Sequence, residues 1–225
     1  MISIIVPVLN EAAVLPAALE ELLGQPGDFE VVVVDGGSSD GSRAVVAGYP
    51  AVKLLQAPTG RAAQMNAGAA AARGDVLLFL HADTTLPAGA VAALDTAQRN
   101  APWQAGAFRH RFASADWRLR LVSWLNNLRC RRSRIYFGDQ AIFVRRGLFE
   151  RLGGYPQVPM LEDVIFCERL RRVTRAVLLA DAVTTDARRF LHHGVWRSSM
   201  RALLILVRHR LGLGSSGHGY LDEVR

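Results

Sequence analysis

The sequence has one lysine, Lys53, and two cysteines, Cys130 and Cys167, among 225 residues. Two thiols exclude a disulfide-built scaffold and cannot form a tetrahedral zinc site unaided. They fit a reducing cytosol. Long apolar runs are also missing. The most apolar late stretch, 202–207, lies between Arg201 and Arg208, far short of the roughly 20 residues that cross a bilayer. The first residues, Met1-Ile-Ser-Ile-Ile-Val-Pro7, have no basic flank and read as a strand, not a signal peptide. No G-x-G-x-x-G follows that strand, where the turn is Val8-Leu9-Asn10-Glu11; this excludes a Rossmann dehydrogenase. The Gly-rich loop with Arg and Lys that a nucleotidylyltransferase needs is absent from the same turn.

Hydrophobic residues make up 50% of the chain, which excludes disorder and supplies one sizeable core. The charge is lopsided. Residues 1–105 carry five basic against ten acidic residues, −5, which leaves +12 of the net +7 on residues 106–225. Such a basic half suits an acidic partner: lipid headgroups, nucleic acid or a phosphorylated substrate. A coding bias towards Arg over Lys accounts for it as well, and both readings stay open.

Short apolar runs alternate with helical patterns through the first hundred residues. Strands are expected at 2–8, 30–35, 52–56 and 76–81, with helices at 12–23, 39–47, 61–73 and 88–99. Apolar strands alternating with helices predict a mostly parallel sheet covered on both faces, with ligands at the strands' carboxyl ends. Later, strands are expected at 106–112, 139–144 and 176–179. Helices are expected at 116–132, 146–152, 160–173 and 194–211, before a Gly/Ser-rich tail. With no repeat or linker, one domain over 1–225 follows.

Acidic residues mark the expected strand ends. Asp35 opens the loop Asp35-Gly-Gly-Ser-Ser-Asp-Gly41, where a carboxylate can accept hydrogen bonds from a base or ribose. Asp83 follows the fourth strand, where a hard oxygen ligand can hold a divalent cation against phosphates. Glu162-Asp163 opens a helix in the basic half, where acids also favour the helix dipole. Asp40 reads as a helix cap.

Together these stretches resemble family 2 glycosyltransferases of the GT-A fold. The matches are Ile4-Ile-Val-Pro-Val-Leu-Asn-Glu11, Val32-Val-Val-Asp-Gly-Gly-Ser-Ser-Asp-Gly41, Gly60-Arg-Ala-Ala-Gln-Met-Asn-Ala-Gly68, Gly74-Asp-Val-Leu-Leu-Phe-Leu-His-Ala-Asp83, Phe137-Gly-Asp-Gln140 and Glu162-Asp163, in family order. The wording of several is similar to a short, single-domain bacterial subgroup. The resemblance implies a three-layer α/β/α fold around a mostly parallel mixed sheet. It implies an inverting transfer of one sugar from a nucleotide-sugar, a UDP-sugar, with Mg²⁺ or Mn²⁺. Pro7, Asn10, Glu11, Asp35, Gly37, Arg61 and His81 would hold the nucleotide, and Asp83 the metal. Asp163, beside Glu162, would be the general base. Asp139 and Gln140 would lie near the acceptor or donor sugar. Residues 1–105 would form the donor half and 106–225 the acceptor half, with the acceptor unassigned and lipid-linked or phosphorylated compounds compatible with the charge.

Three departures from the family pattern bear on this. Its Asp-x-Asp motif is His81-Ala82-Asp83 here, and His81 suits metal, phosphate or ribose equally. The Asp pair after the second strand is Asp35-Gly36. The Gln-x-x-Arg-Trp motif of processive synthases is absent, which favours single-sugar transfer; its nearest counterpart offers Arg188, Arg189 and His193 to a diphosphate. A catalytically degenerate nucleotide-binding or membrane-docking protein is the alternative. Met65 reads as core, Trp117, Trp124 and Trp196 as buried or as lipid or sugar contacts, and His192 and His193 as a solvated helix start. Arg129, Arg131, Arg132 and Arg134 read as a solvated face or a rest for anionic headgroups beside Trp124. A cytoplasmic protein, at most peripheral at the membrane's inner face, is expected, and nucleic acid is not, because no nucleic-acid motif accompanies the charge.

Overall fold

The computed structural model describes residues 1–100 and 103–213, without the side chains of residues 98–100 and 189. The sequence-expected tail lies almost wholly outside that range. Eight strands form one sheet: β1 (Ile2–Val8), β2 (Phe29–Asp35), β3 (Val52–Gln56), β4 (Val76–Phe79), β5 (Thr84–Thr85), β6 (Ala105–Phe112), β7 (Phe143–Arg145) and β8 (Val177–Thr185). Their spatial order is β3-β2-β1-β4-β7-β6-β8-β5. Pairings among β1 to β4 are parallel, β7 is antiparallel to both neighbours, and β6 and β8 run parallel. This is the expected mostly parallel mixed sheet.

The helices are α1 (Leu15–Leu23), α2 (Ser42–Ala47), α3 (Arg61–Ala71), α4 (Ala90–Asn100), α5 (Trp117–Ser133), α6 (Arg146–Arg151), α7 (Glu162–Val173), α8 (Arg188–His193) and α9 (Val195–Arg210). They cover both faces because the strands are apolar on both. In β1, Ile4 and Val6 join Leu15 and Leu19 of α1 and Leu94 of α4 in one core, while Ile5 joins Met65 of α3 and Phe166 of α7 in the other. β2 divides likewise, Val31 and Val33 to the first and Val32 and Val34 to the second. Met65 is core, as expected. Cys130 and Cys167 are free thiols buried in the second core, and burial pushes both thiols up.

The parallel strands open where their order reverses. β1 pairs with β2 along its full length but with β4 only over Ile2–Ile5. Pro7, which has no N–H to donate, stands where the β4 side of β1 is released. Crevices at such a switch point are where open α/β sheets bind ligands.

Several local expectations are corrected. Residues 138–140 form a 3-10 turn, not the start of a strand, because side chains take up its backbone: the Gly138 N–H goes to Asp163 Oδ2 and the Phe137 N–H to Gln140 Oε1. The last strand runs to Thr185, since it is flanked by β6 and β5 and gains pairing from both. His192 and His193 end α8 instead of starting a helix. Trp117, Trp124 and Trp196 are exposed, not buried.

At Gly68 of α3, an added Cβ would stand 2.4 Å from Ile5 Cγ2 and 3.0 Å from Val34 Cγ2. The missing side chain lets α3 lie directly on β1 and β2. Gly68→Val is expected to destabilise the fold by about 2–3 kcal/mol through overpacking, read by urea denaturation. An unchanged midpoint would contradict the close approach.

Candidate functional site

The loops after β1 and β2 are tied together by side chain to backbone bonds. Asn10 takes a left-handed φ of 56°, its N–H donates to Ser38 Oγ (2.9 Å), and its Oδ1 accepts the Ser39 N–H (2.9 Å). The Glu11 N–H donates to Ser42 Oγ and the Ala12 N–H to Asp40 Oδ2, each at 2.9 Å. Asp40 also accepts the Ser42 N–H and hydroxyl, but it stands one residue before the N-cap of α2, which is Gly41, so it ties the two loops together and is not the expected cap.

Asp35 is buried at the end of β2. Its carboxylate accepts the N–H groups of Gly37 (3.1 Å) and Ser38 (3.2 Å), with Arg43 Nε 4.0 Å away. Gly37, at φ 100°, supplies the left-handed turn that brings its N–H back to that carboxylate. Beneath the loops lies Gln64 of α3, a residue sequence reasoning passed over. Its buried amide donates to the carbonyls of Val8 and Val34, each at 2.8 Å, and so fixes the ends of β1 and β2. The only sequence signal is a polar residue on the apolar face of an Ala-rich helix.

Across the crevice, α7 presents Glu162 and Asp163, both buried. Leu161 enters the helix at a left-handed φ of 64°. Asp163 Oδ2 accepts the Gly138 N–H at 2.6 Å, and Oδ1 accepts the Val164 N–H at 2.7 Å. A Cβ at Gly138 would stand 2.7 Å from His81 Nε2 and 3.6 Å from Asp163 Oδ2. His81, Gly138 and Asp163 therefore pack closely, and a side chain at 138 would have to displace the His81 ring. Arg61, at the start of α3, brings Nη1 to 3.6 Å from Glu162 Oε1 while its side chain stays about half exposed. Among the described residues, four non-glycine residues have positive φ, and Asn10, Ala141 and Leu161 adjoin this site. Backbone strain of this kind collects at functional sites.

The turn after β4 carries His81, Ala82 and Asp83. Asp83 Oδ1 accepts the Thr84 hydroxyl, and the Asp83 carbonyl accepts the Asp186 N–H at 3.2 Å. Pairing of β5 with β8 sets up the second contact. Arg188 follows, ion-paired with Asp186 and largely exposed. His193 is exposed at the end of α8, its ring 4.8 Å from that of His192. The Arg189 side chain lies outside the described residues. Asp139 Oδ2 approaches His110 Nε2 at 3.6 Å. Gln140 is fully buried, donating to the Phe108 carbonyl and accepting the Phe137 N–H, so it braces the turn from inside.

Among the described residues, no three of His, Cys, Asp and Glu gather into a metal cage. A cation shared with a diphosphate needs only one or two carboxylates, the remaining ligands being phosphate oxygens and water. Asp83 is a hard oxygen donor at the crevice and fits that coordination.

Burial, and then the charge of Glu162, push the Asp163 carboxyl up to about 7; Arg61 and the two N–H donors pull against this. A carboxyl raised in the fold contributes stability that is present below its ordinary value of 3.8 and lost as pH rises through about 7.

The comparisons with known proteins agree with one another. The family model described as "Glycosyl transferase family 2" matches residues 3–149. The PGL/p-HBAD biosynthesis glycosyltransferase of Mycobacterium bovis (strain BCG / Pasteur 1173P2) is 36% identical over 169 residues, covering 69% of this chain and 63% of that protein. Among solved structures, the mannosyltransferase PcManGT from Pyrobaculum calidifontis in complex with GDP-Man and Mn²⁺ matches with TM-score 0.67 and 25% identity. The match covers 81% of this chain and 56% of that one. S. aureus TarS 1-349 in complex with UDP-GlcNAc matches with TM-score 0.68 and 18% identity, over 82% and 58%, and shows the shared fold. The chain thus spans less than two thirds of the length of these relatives.

The Asp163→Asn variant removes the titration. The melting temperature of the variant minus that of the parent is expected to climb between about pH 4 and 7 and to level off above. A flat difference would contradict the raised value.

Proposed function

The chain belongs to glycosyltransferase family 2, and from that membership we propose that it moves one sugar from a nucleotide-sugar to an acceptor hydroxyl with inversion at the anomeric carbon. The observation that carries this is Asp163: a buried carboxyl with its charge balance set near neutrality, held by a backbone N–H at the mouth of the crevice. A general base works best when its pKa lies near the working pH.

Residues 1–105 form the donor half. Pro7, Asn10, Glu11, Asp35 and Gly37 line the nucleotide pocket, and the donor is a UDP-sugar. The compact Asp35 loop, held by its own N–H groups, presents a preformed edge to base and ribose. Arg61, half exposed and resting on Glu162, is placed to turn towards a diphosphate. His81 packs where a phosphate or ribose would pass. Asp83 would hold Mg²⁺ or Mn²⁺, which would offset the negative charge of the departing diphosphate. The Mn²⁺ and GDP-Man in the Pyrobaculum complex support donor and cation as classes. Arg188, paired with the Asp186 whose N–H binds the Asp83 carbonyl, adds positive charge beside Asp83.

Residues 106–225 form the acceptor half, with Asp139 and the braced Gln140 beside the sugar. In the transfer step Asp163 takes the proton of the acceptor hydroxyl. That oxygen attacks the anomeric carbon from the face opposite the diphosphate. The anomeric C–O bond breaks, and the nucleoside diphosphate leaves with the electron pair. Glu162 rests on Arg61, and its carboxylate beside Asp163 helps to push the Asp163 carboxyl up.

Asp163→Asn is expected to lower kcat by about a thousandfold, the scale of a lost general base, with nucleotide affinity kept. Normal turnover would remove Asp163 from the role. Asp83→Ala is expected to abolish the gain in UDP affinity that Mn²⁺ confers, measured by titration calorimetry. The same gain in the variant would remove the cation from Asp83.

A further inference from the structure

Helix α9 faces the wrong way for an ordinary surface helix. Its solvent side carries Trp196, Met200, Leu203, Leu204, Val207 and, just beyond its end, Leu211, all between 43% and 66% exposed. The steps of three, four and seven residues are one stripe of an α-helix. Packed beside it, α5 turns Trp117, Leu121, Trp124 and Leu125 outward in the same manner, and the rings of Trp117 and Trp196 lie 6.3 Å apart. A small core of Leu119, Ala187 and Val195, with Phe112, Val122 and Phe190 against it, locks the two helices together. The exposed stripes are therefore a fixed platform.

The charges around it are mostly positive, the exceptions being Asp116, paired with Arg118 at the start of α5, and Glu168, 3.4 Å from His209 of α9. α5 carries five arginines and α9 four, and neither contains an acidic residue. Trp124 and Arg120 also border a cavity of about 620 Å³ that Arg109 and Arg111 line, and Arg109 Nε is buried there without a hydrogen-bond partner. An apolar stripe with tryptophans, flanked by arginines, is the composition of a helix lying in a bilayer interface. Pairing this face with a second copy would bring like-charged helices together, which opposes self-association. Among the described residues no helix is long and apolar enough to cross a membrane.

We propose that the joint face of α5 and α9 docks on an anionic lipid bilayer, its apolar stripes entering the headgroup layer and its arginines, with the cavity beside Trp124, holding lipid phosphates. The docked face lies next to the crevice. α8 links Asp186, whose N–H is bound to the Asp83 carbonyl, directly to Gly194 at the start of α9. This inference goes beyond the proposed transfer reaction and does not depend on it.

The test is sedimentation of the full chain with vesicles. One set is phosphatidylcholine alone, the other three parts phosphatidylcholine to one part phosphatidylglycerol, each at low and high salt. Binding to the anionic vesicles that weakens with salt, and little to the neutral ones, is expected. Leu203→Asn/Leu204→Asn, at two exposed positions outside the crevice, is expected to lower the partition coefficient by at least about tenfold with an unchanged melting temperature. Arg131→Gln/Arg132→Gln is expected to remove most of the salt dependence. Absence of binding to anionic vesicles would overturn the proposal, as would equal binding to both kinds. So would a self-association in sedimentation velocity that the leucine variant abolishes.

Discussion

The N–H of Gly138 donates to a carboxylate, Asp163, that is almost closed off from water, and three elements meet at that bond. The 3-10 turn brings the donor, the first turn of α7 the acceptor, and the turn after β4 lays His81 against the glycine where a side chain would stand. Lost, it would leave an acid in a low-dielectric setting, beside Glu162, with only its neighbour's N–H to hold it. Kept, it fixes one carboxylate oxygen of Asp163 while burial raises the affinity of that carboxyl for a proton. Positioning and proton affinity thus come from one arrangement.

The crevice itself follows from the parallel sheet. β1 stays paired with β2 to its end but parts from β4 after Ile5, with Pro7 at the opening. Gln64 then ties the two strand ends together by donating to the Val8 carbonyl, which also accepts the Gly36 N–H, and to the Val34 carbonyl. The opposite rim depends on β8, whose short pairing with β5 carries Asp186 and Arg188 to Asp83.

The first hundred residues were largely legible in the sequence. Apolar strands of fixed length and glycine-bearing turns are local signals, and β1 to β4 and the Asp35 loop formed where those signals put them. The second half was less legible because its signals are tertiary. Residues 139–144 look like a strand, yet the turn is dictated by Asp163 and Gln140, distant or inward-facing side chains. β8 exceeds its apolar run because pairing with β6 resumes at Ala182 after an irregularity that holds the exposed Ala180 and Asp181, and β5 then pairs with Thr184 and Thr185. Which side of α5 and α9 would face the core could not be read from apolar periodicity, since that pattern shows a stripe and not its direction. The +12 of the second half is now divided. Arg129 and Arg134 bind backbone carbonyls, whereas Arg131 and Arg132 are exposed.

Transfer from a nucleotide-sugar is the claim on which the remaining assignments rest, and donor binding tests it most directly. The measurement is the melting temperature of the chain against a panel of nucleotide-sugars with and without Mn²⁺, since a ligand that binds the folded state alone raises it by mass action. At least one donor, uridine diphosphate sugars foremost, is expected to raise it, and more so with Mn²⁺. A flat response to every donor under both conditions would contradict the account.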